Sequence, residues 1–482
     1  MSGPSTPQRT AAAELLLVSP MALSGLALSS SRKRRITPTA EATSPKRIAI
    51  ITSPGAPLHK PTLPRHAGTD LQVPPPARHL ILPFDPRDEP DAFYDREKRA
   101  MMLHIFPGTT GIATDGWSIH LQLRTLPPKP WPLTIAGLPL YLQLEMGPGP
   151  MPPTRLVSRK NGSIAGDQNG RDMEDWEPLF HVIKGHFQGL GVSITEVMYC
   201  SNAVFIVLKH RDTDFNKLPW RAANIVCFYL FDDEMGRPSA PQARRLLDPA
   251  PGNPDDSQYD TLQPGLRVTS PYLPGNPGMF LSTTTGVLLK DGVGNEFMTV
   301  ASHGFPAECG TQVFHALPRN GREIGELIME VSHTGIALVK LRDTETFSSV
   351  TFQSDSIPQP VQLKKLVRVK KHQRYDPVCL DSPDTGFIDG AFMMTSFQAI
   401  PSDDNSPEQN WIFTTWNYGG QDSAINLPEG MGGSAIWNED GDVLGFFRYA
   451  PKEGLMKDWC TGIAADELIN RGFALVNTSD RT

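Results

Sequence analysis

From about Asp91 onward the apolar residues recur in short, regular runs. Thr110–Leu123 (TGIATDGWSIHLQL) and Trp131–Leu144 (WPLTIAGLPLYLQL) alternate or run apolar, which predicts strands. Trp176–Leu190 (WEPLFHVIKGHFQGL) spaces its apolar residues at helical intervals. Ile194–Leu208 predicts two strands joined at Ser201-Asn202, and Arg221–Phe231 a further buried element. Beyond residue 280 short apolar runs broken by turn residues continue almost to the C-terminus, the pattern of an all-β domain.

Two stretches lack such periodicity. Residues 1–90 hold 15 prolines among Ser, Thr and Ala, and are expected to be a disordered tail. Residues 236–280 are rich in Pro, Gly, Asp and Ser, the composition of a linker or of an ordered strap between domains. The expected organisation is therefore multidomain: the tail (1–90), an α+β domain (91–235), a Pro-rich linker (236–280) and an all-β domain (281–482). No catalytic constellation is visible in 91–235. His181 and His186 are five apart, with no acid or Cys to pair with them, and read as satisfied histidines.

Charge sharpens the division. The net charge is −7, but residues 1–66 hold nine Lys/Arg against two Asp/Glu, leaving 36 against 50 for the rest. A basic tail on an acidic body follows. Arg32, Lys33, Arg34 and Arg35 are separated by ten residues from Lys46 and Arg47, the spacing of a bipartite nuclear import signal read by a carrier protein. The rival address is a mitochondrial one, since Met21–Arg35 is Ser/Arg-rich and acid-free. Lys364, Lys365, Arg368, Lys370, Lys371 and Arg374 form a second basic cluster without aromatic platforms. It reads as a solvated face, and nucleic acid is disfavoured as a partner. The five cysteines, Cys200, Cys227, Cys309, Cys379 and Cys460, are widely spaced and form no C-x-x-C pair. A reducing, intracellular compartment is favoured over a disulfide framework, and nothing calls for a metal or a cofactor. No apolar run approaches the length of a bilayer span, so no membrane partner is expected.

The candidate chemistry lies in Gly430–Phe447 (GMGGSAIWNEDGDVLGFF): a Gly-rich turn, a strand, a Glu-Asp-Gly turn and a second strand. Upstream, residues 284–305 (TTGVLLKDGVGNEFMTVASHGF) form two predicted strands ending past Ser302-His303, and residues 332–341 (SHTGIALVKL) form another. In this order the motifs resemble those of trypsin-like serine proteases of the chymotrypsin fold, over residues 281–475 or so. The resemblance implies a double β-barrel and places each member of a catalytic triad. His303 falls at the base, Gly335 at the acid and Gly432 at the nucleophile. Gly430 and Gly432 fall at the oxyanion hole.

Only the histidine has a usable side chain, and the three members act together. The resemblance therefore implies an inactive protease homologue, acting as a polypeptide-binding or regulatory module. Restoring Ser at 432 alone should recover little activity, and Gly432→Ser with Gly335→Asp more. The alternative is an active endopeptidase using Ser434 as a displaced nucleophile with His303 as base. In this family the peptide lies along the strand after the nucleophile turn, here Phe446, Phe447, Arg448 and Tyr449, with Asn426 near the base of the specificity pocket. Glu330 and His333 are the side chains that could stand in for the acid.

Overall fold

The computed structural model describes residues 79–476 apart from short segments, chiefly 145–153, 239–243, 246–253, 272–279, 306–309, 399–407 and 417–426. The tail with its two basic clusters, Cys309 and Asn426 lie outside the described residues. Strands dominate what is described, with only three α-helices among the described residues.

The chain divides into two compact units. The smaller one spans the described residues 79–144. Its helix Arg96–Ile105 is capped by Asp95, whose carboxylate accepts from the N–H groups of Glu97 and Lys98. Met102 and Ile105 turn into a core shared with Ile119, Leu121, Leu140 and Leu142 of a five-stranded sheet. The predicted strands are there, as Thr109–Thr114 with Ile119–Leu123 and as Thr134–Ile135 with Leu138–Gln143.

The larger unit begins near residue 154, inside the expected α+β domain, so the boundaries 91–235 are not those of one compact body. The reason is strand pairing. Ile194–Cys200 and Ala203–Leu208 form the expected hairpin, but Glu196–Tyr199 also pair with Thr395–Gln398 of the C-terminal region. Both strands are buried on both faces, as a strand inside a sheet is, with Glu196 answered by Arg237. Helix Glu177–Gly189 covers one face through Leu179, Phe180, Ile183 and Phe187, where Phe180 stacks on Phe397.

Within this twelve-stranded sheet, six strands close into a barrel. Pro377–Ser382 pairs with Gly386–Gln398, which pairs with Gln409–Trp416, then Cys460–Ala464, then Asp442–Tyr449, then Ala435–Trp437. The last of these returns to Pro377–Ser382. A separate nine-stranded sheet holds the histidine. Arg267–Ser270, Gln312–His315, Arg322–Val331, Ile336–Leu341 and Glu296–Ala301 pair in that order. The segment from 281 to 290 meets Arg267–Ser270 with its first half and Glu296–Ala301 with its second.

The expected linker is therefore in part a strand of this sheet. Tyr259, Leu262, Leu266 and Val268 belong to its core, and the fold starts before Leu281. Arg267, fully buried, ties the two sheets: its guanidinium donates to Asp384 at 2.7 Å and to Ser282 at 2.7 Å. The basic cluster at 364–374 is a two-residue strand and a 3-10 turn, and three of its six cations, Lys365, Arg368 and Lys370, pair with carboxylates. Arg368 bonds Asn470, Lys370 pairs with Asp175 and Lys365 with Asp442.

Candidate active site

Backbone register brings the three marked positions together. Ala301 pairs with Ile336, so the residues just past one strand and just before the other share an end of the sheet. His303 sits in the 3-10 turn Ser302–Gly304, and the Ser302 N–H donates to the Gly335 carbonyl at 2.9 Å. The Gly-rich turn is held from both sheets. Thr284 donates to the carbonyls of Gly432 (N–H, 3.1 Å) and Gly430 (Oγ1, 2.8 Å), while Gly433 N–H donates to Phe447.

Gly432 lies directly against the imidazole. A Cβ built on it would stand 2.5 Å from Cε1 and 2.7 Å from Nε2 of His303, closer than any real side chain approaches. The ring thus occupies the space that a nucleophile's side chain needs. Ser434 faces elsewhere: it is fully buried, its hydroxyl finds no hydrogen-bond partner among the described residues, and it does not line the cleft that His303 lines.

The other ring nitrogen has an unexpected neighbour. Arg448 Nη1 lies 2.9 Å from His303 Nδ1. A guanidinium has no acceptor, so it donates and Nδ1 accepts; the neutral imidazole then carries its proton on Nε2. The guanidinium reaches this spot because Gly335 has no side chain. A Cβ there would meet Arg448 at 2.5 Å from Cζ and 2.9 Å from Nε. Gly335 also has φ +69°, a conformation that side chains disfavour. Arg448 is aimed by a β-bulge: Phe447 pairs with Gly462 and Tyr449 with Thr461, which leaves Arg448 as the extra residue.

Burial, and then the Arg448 charge, push the His303 pKa down to about 3, so the ring is neutral near pH 7. Burial also lowers the Arg448 pKa, opposed by the negative charge of Glu330. Glu330 is exposed, and among the described residues no carboxylate lies within ion-pair distance of Arg448. Neither Glu330 nor His333 takes the acid's place. Arg448 does, and with the opposite charge. Sequence reasoning placed Arg448 on the peptide-binding strand and missed its contact with His303. The available signal was a large cation on that strand coinciding with a glycine at the acid position.

Of the other residues expected to touch a peptide, Phe446 is 1% exposed and Phe447 5%, each packed in a core cluster. Both side chains pack in the core, and Phe447 also lines the cleft. The cleft itself has a volume of about 490 Å³ and is lined by Arg237, His303, Gly430–Gly432 and Arg448–Glu453, among others. Arg237 is answered by Glu196 at 2.5 Å and by Asp232. Among the described residues, the N–H groups of Gly430 and Gly432, the two positions expected to form an oxyanion hole, donate to no acceptor. With Nε2–H and these amides the floor can donate hydrogen bonds, while the imidazole has no free nitrogen lone pair with which to accept a proton from an attacking group.

No protein-family profile matches the sequence, and no curated protein matches it. Solved structures that resemble the chain are trypsin-like serine proteases. A glutamic-acid-specific serine protease is 12% identical, covering 45% of this chain and 100% of its own, with a TM-score of 0.32. Protease A of Thermobifida fusca is 13% identical over 45% of this chain and 99% of its own, with a TM-score of 0.31. Nocardiopsis protease is 15% identical over 45% and 100%, with a TM-score of 0.30.

Proposed function

We propose that this chain is a trypsin-like serine-protease homologue that does not hydrolyse its ligands, and that its cleft binds polypeptide. In this reading the nine-stranded sheet is the first barrel of a double-barrel fold, closed through the bent segment 281–290, and the six-strand barrel is the second. The observation that carries the proposal is the hydrogen bond from Arg448 to Nδ1 of His303. A triad needs an acid there, so that Nε2 is free to take the nucleophile's proton. Here Nε2 is the protonated nitrogen, the nucleophile position is Gly432, and Ser434 is enclosed. Polypeptide binding is supported by the strand Asp442–Tyr449. On one side its ladder ends at Phe446, so residues 448–450 run along the cleft with main-chain groups that an extended peptide could pair with.

A serine-directed fluorophosphonate probe and a fluorogenic peptide library test the absence of hydrolysis. The expected result is no labelling and no turnover above buffer. Labelling that disappears in Ser434→Ala would establish the displaced-nucleophile alternative instead. The basic tail we propose as a nuclear import signal. A reporter carrying residues 1–66 should leave the nucleus when Lys33, Arg34, Lys46 and Arg47 become Ala, and a mitochondrial signal in the parent would refute the assignment.

A further inference from the structure

We infer that the floor of the cleft is a receptor for a carboxylate carried by the bound peptide, at its C-terminus or on an acidic side chain. The inference rests on the polypeptide-binding reading and names what that site recognises. Three residues of the lining carry donors with nothing to donate to among the described residues: Nε2–H of His303 and the main-chain N–H groups of Gly430 and Gly432. Behind the ring stands the charge of Arg448, without a carboxylate at ion-pair distance among the described residues. Removing the nucleophile removed the floor's acceptor, and replacing the acid by a cation reversed the sign of the charge behind it. Three unpaired donors backed by a positive charge are complementary to an anion with several lone pairs, and a carboxylate has four.

The acids at the rim do not cancel this preference. Glu429 lies 3.8 Å from Lys452, while Glu453 is exposed to solvent. A neutral amide, by contrast, offers these donors a single carbonyl oxygen and no negative charge for Arg448 to favour. Arg448 is a positioning residue here, because it acts through the tautomer it imposes on His303 and through its charge.

The test uses the full chain and three short peptides: acetyl-trialanine as the free acid, the same peptide as its C-terminal amide, and acetyl-Ala-Glu-Ala amide. Binding is followed by calorimetry and by the ring-nitrogen resonances of ¹⁵N-labelled histidine. The expected result is that the free acid, the glutamate peptide or both bind at least about tenfold more tightly than the neutral amide. Binding should shift the His303 Nε2 resonance, while Nδ1 keeps the signature of an unprotonated nitrogen. Whichever carboxylate wins identifies the source. Arg448→Gln should erase the preference for the acid, read as the ratio of acid to amide affinity falling to about one. Should that variant fail to fold, competition by acetate but not by acetamide on the parent protein reads the same preference. Equal binding of acid and amide overturns the carboxylate receptor and leaves polypeptide binding standing. Binding of none of the three, together with no binding of longer peptides, removes both.

Discussion

Arg448 and Gly335 form a matched pair: the guanidinium fills the space that any side chain at residue 335 would need, and donates from there to His303. Gly432 stands in the same relation to the imidazole. The residues that look like simple losses are the cavities into which two neighbours have moved.

Rebuilding the triad should therefore fail by the obvious route. Gly432→Ser with Gly335→Asp places one Cβ inside the imidazole and another inside the guanidinium. The double variant is expected to unfold at lower temperature than the parent and to remain inert toward activated esters. Adding Arg448→Ser opens the acid's place, and only this triple variant should hydrolyse above background. Activity in the double variant would show that Arg448 leaves easily.

Gly432→Ala tests the packing alone. The added methyl overlaps Cε1 and Nε2 of His303 and approaches Ala301 Cβ at 3.2 Å. Overpacking of this kind costs about 1–3 kcal/mol, which denaturant unfolding measures. A neutral result would mean that the ring swings aside.

Much of this site was legible in the chain before any coordinates. The turn after residue 430, the histidine at the end of its strand and the strand through Ile336–Leu341 are short-range patterns, marked by glycines and by alternating apolar residues. Arg448 was legible only as a residue on a strand, because its partner lies 145 residues away and the bulge that aims it leaves no local mark. The domain boundaries were misplaced for a related reason. Ile194–Cys200 reads as a strand wherever its partner lies, and composition does not reveal that the partner is Gly386–Gln398. Residues 255–270 lost their strands beneath the prolines around them.

Acid should weaken the fold through His303. Its pKa is about 3 in the native state against 6.5 when free, so between those values the unfolded chain binds a proton that the native chain does not. Stability then falls as pH falls from about 6.5, by at most about 1.4 kcal/mol per pH unit from this group, with no contribution above pH 7. Comparing the pH dependence of unfolding in the parent and in His303→Gln isolates the effect. Parallel curves would show that the ring is protonated in the native state.

The buried ion pair between the two sheets should be costly to break. Arg267→Met leaves Asp384, whose side chain is fully buried, without its cation, and should cost about 3–5 kcal/mol by denaturant unfolding. The loss should be smaller when Asp384→Asn accompanies it, since the other carboxylate of Arg267, Asp256 at 2.7 Å, is 42% exposed and returns to water.

Truncation tests the continuity of the twelve-stranded sheet. A chain beginning at Thr261 loses Ile194–Cys200 and exposes Phe397 with the edge at Thr395–Gln398. It is expected to aggregate, whereas a chain beginning near residue 154 should stay soluble and unfold cooperatively. A soluble, folded chain from Thr261 would show that the hairpin is an accessory.

The fit between Arg448 and the two glycines also has a direction in time. On the reading of this chain as a protease homologue, an ancestor held side chains at 335 and 432 and no guanidinium between them. Once both were lost and Arg448 had settled beside the imidazole, no single substitution at 335 or 432 led back, because each first step now meets an occupied space. Selection for lost catalysis would have to pass through crowded, destabilised intermediates that do not yet hydrolyse anything. On that reading the arrangement works as a ratchet whose pawl is Arg448: a route back begins with loss of the guanidinium, not with a side chain gained at 335 or 432.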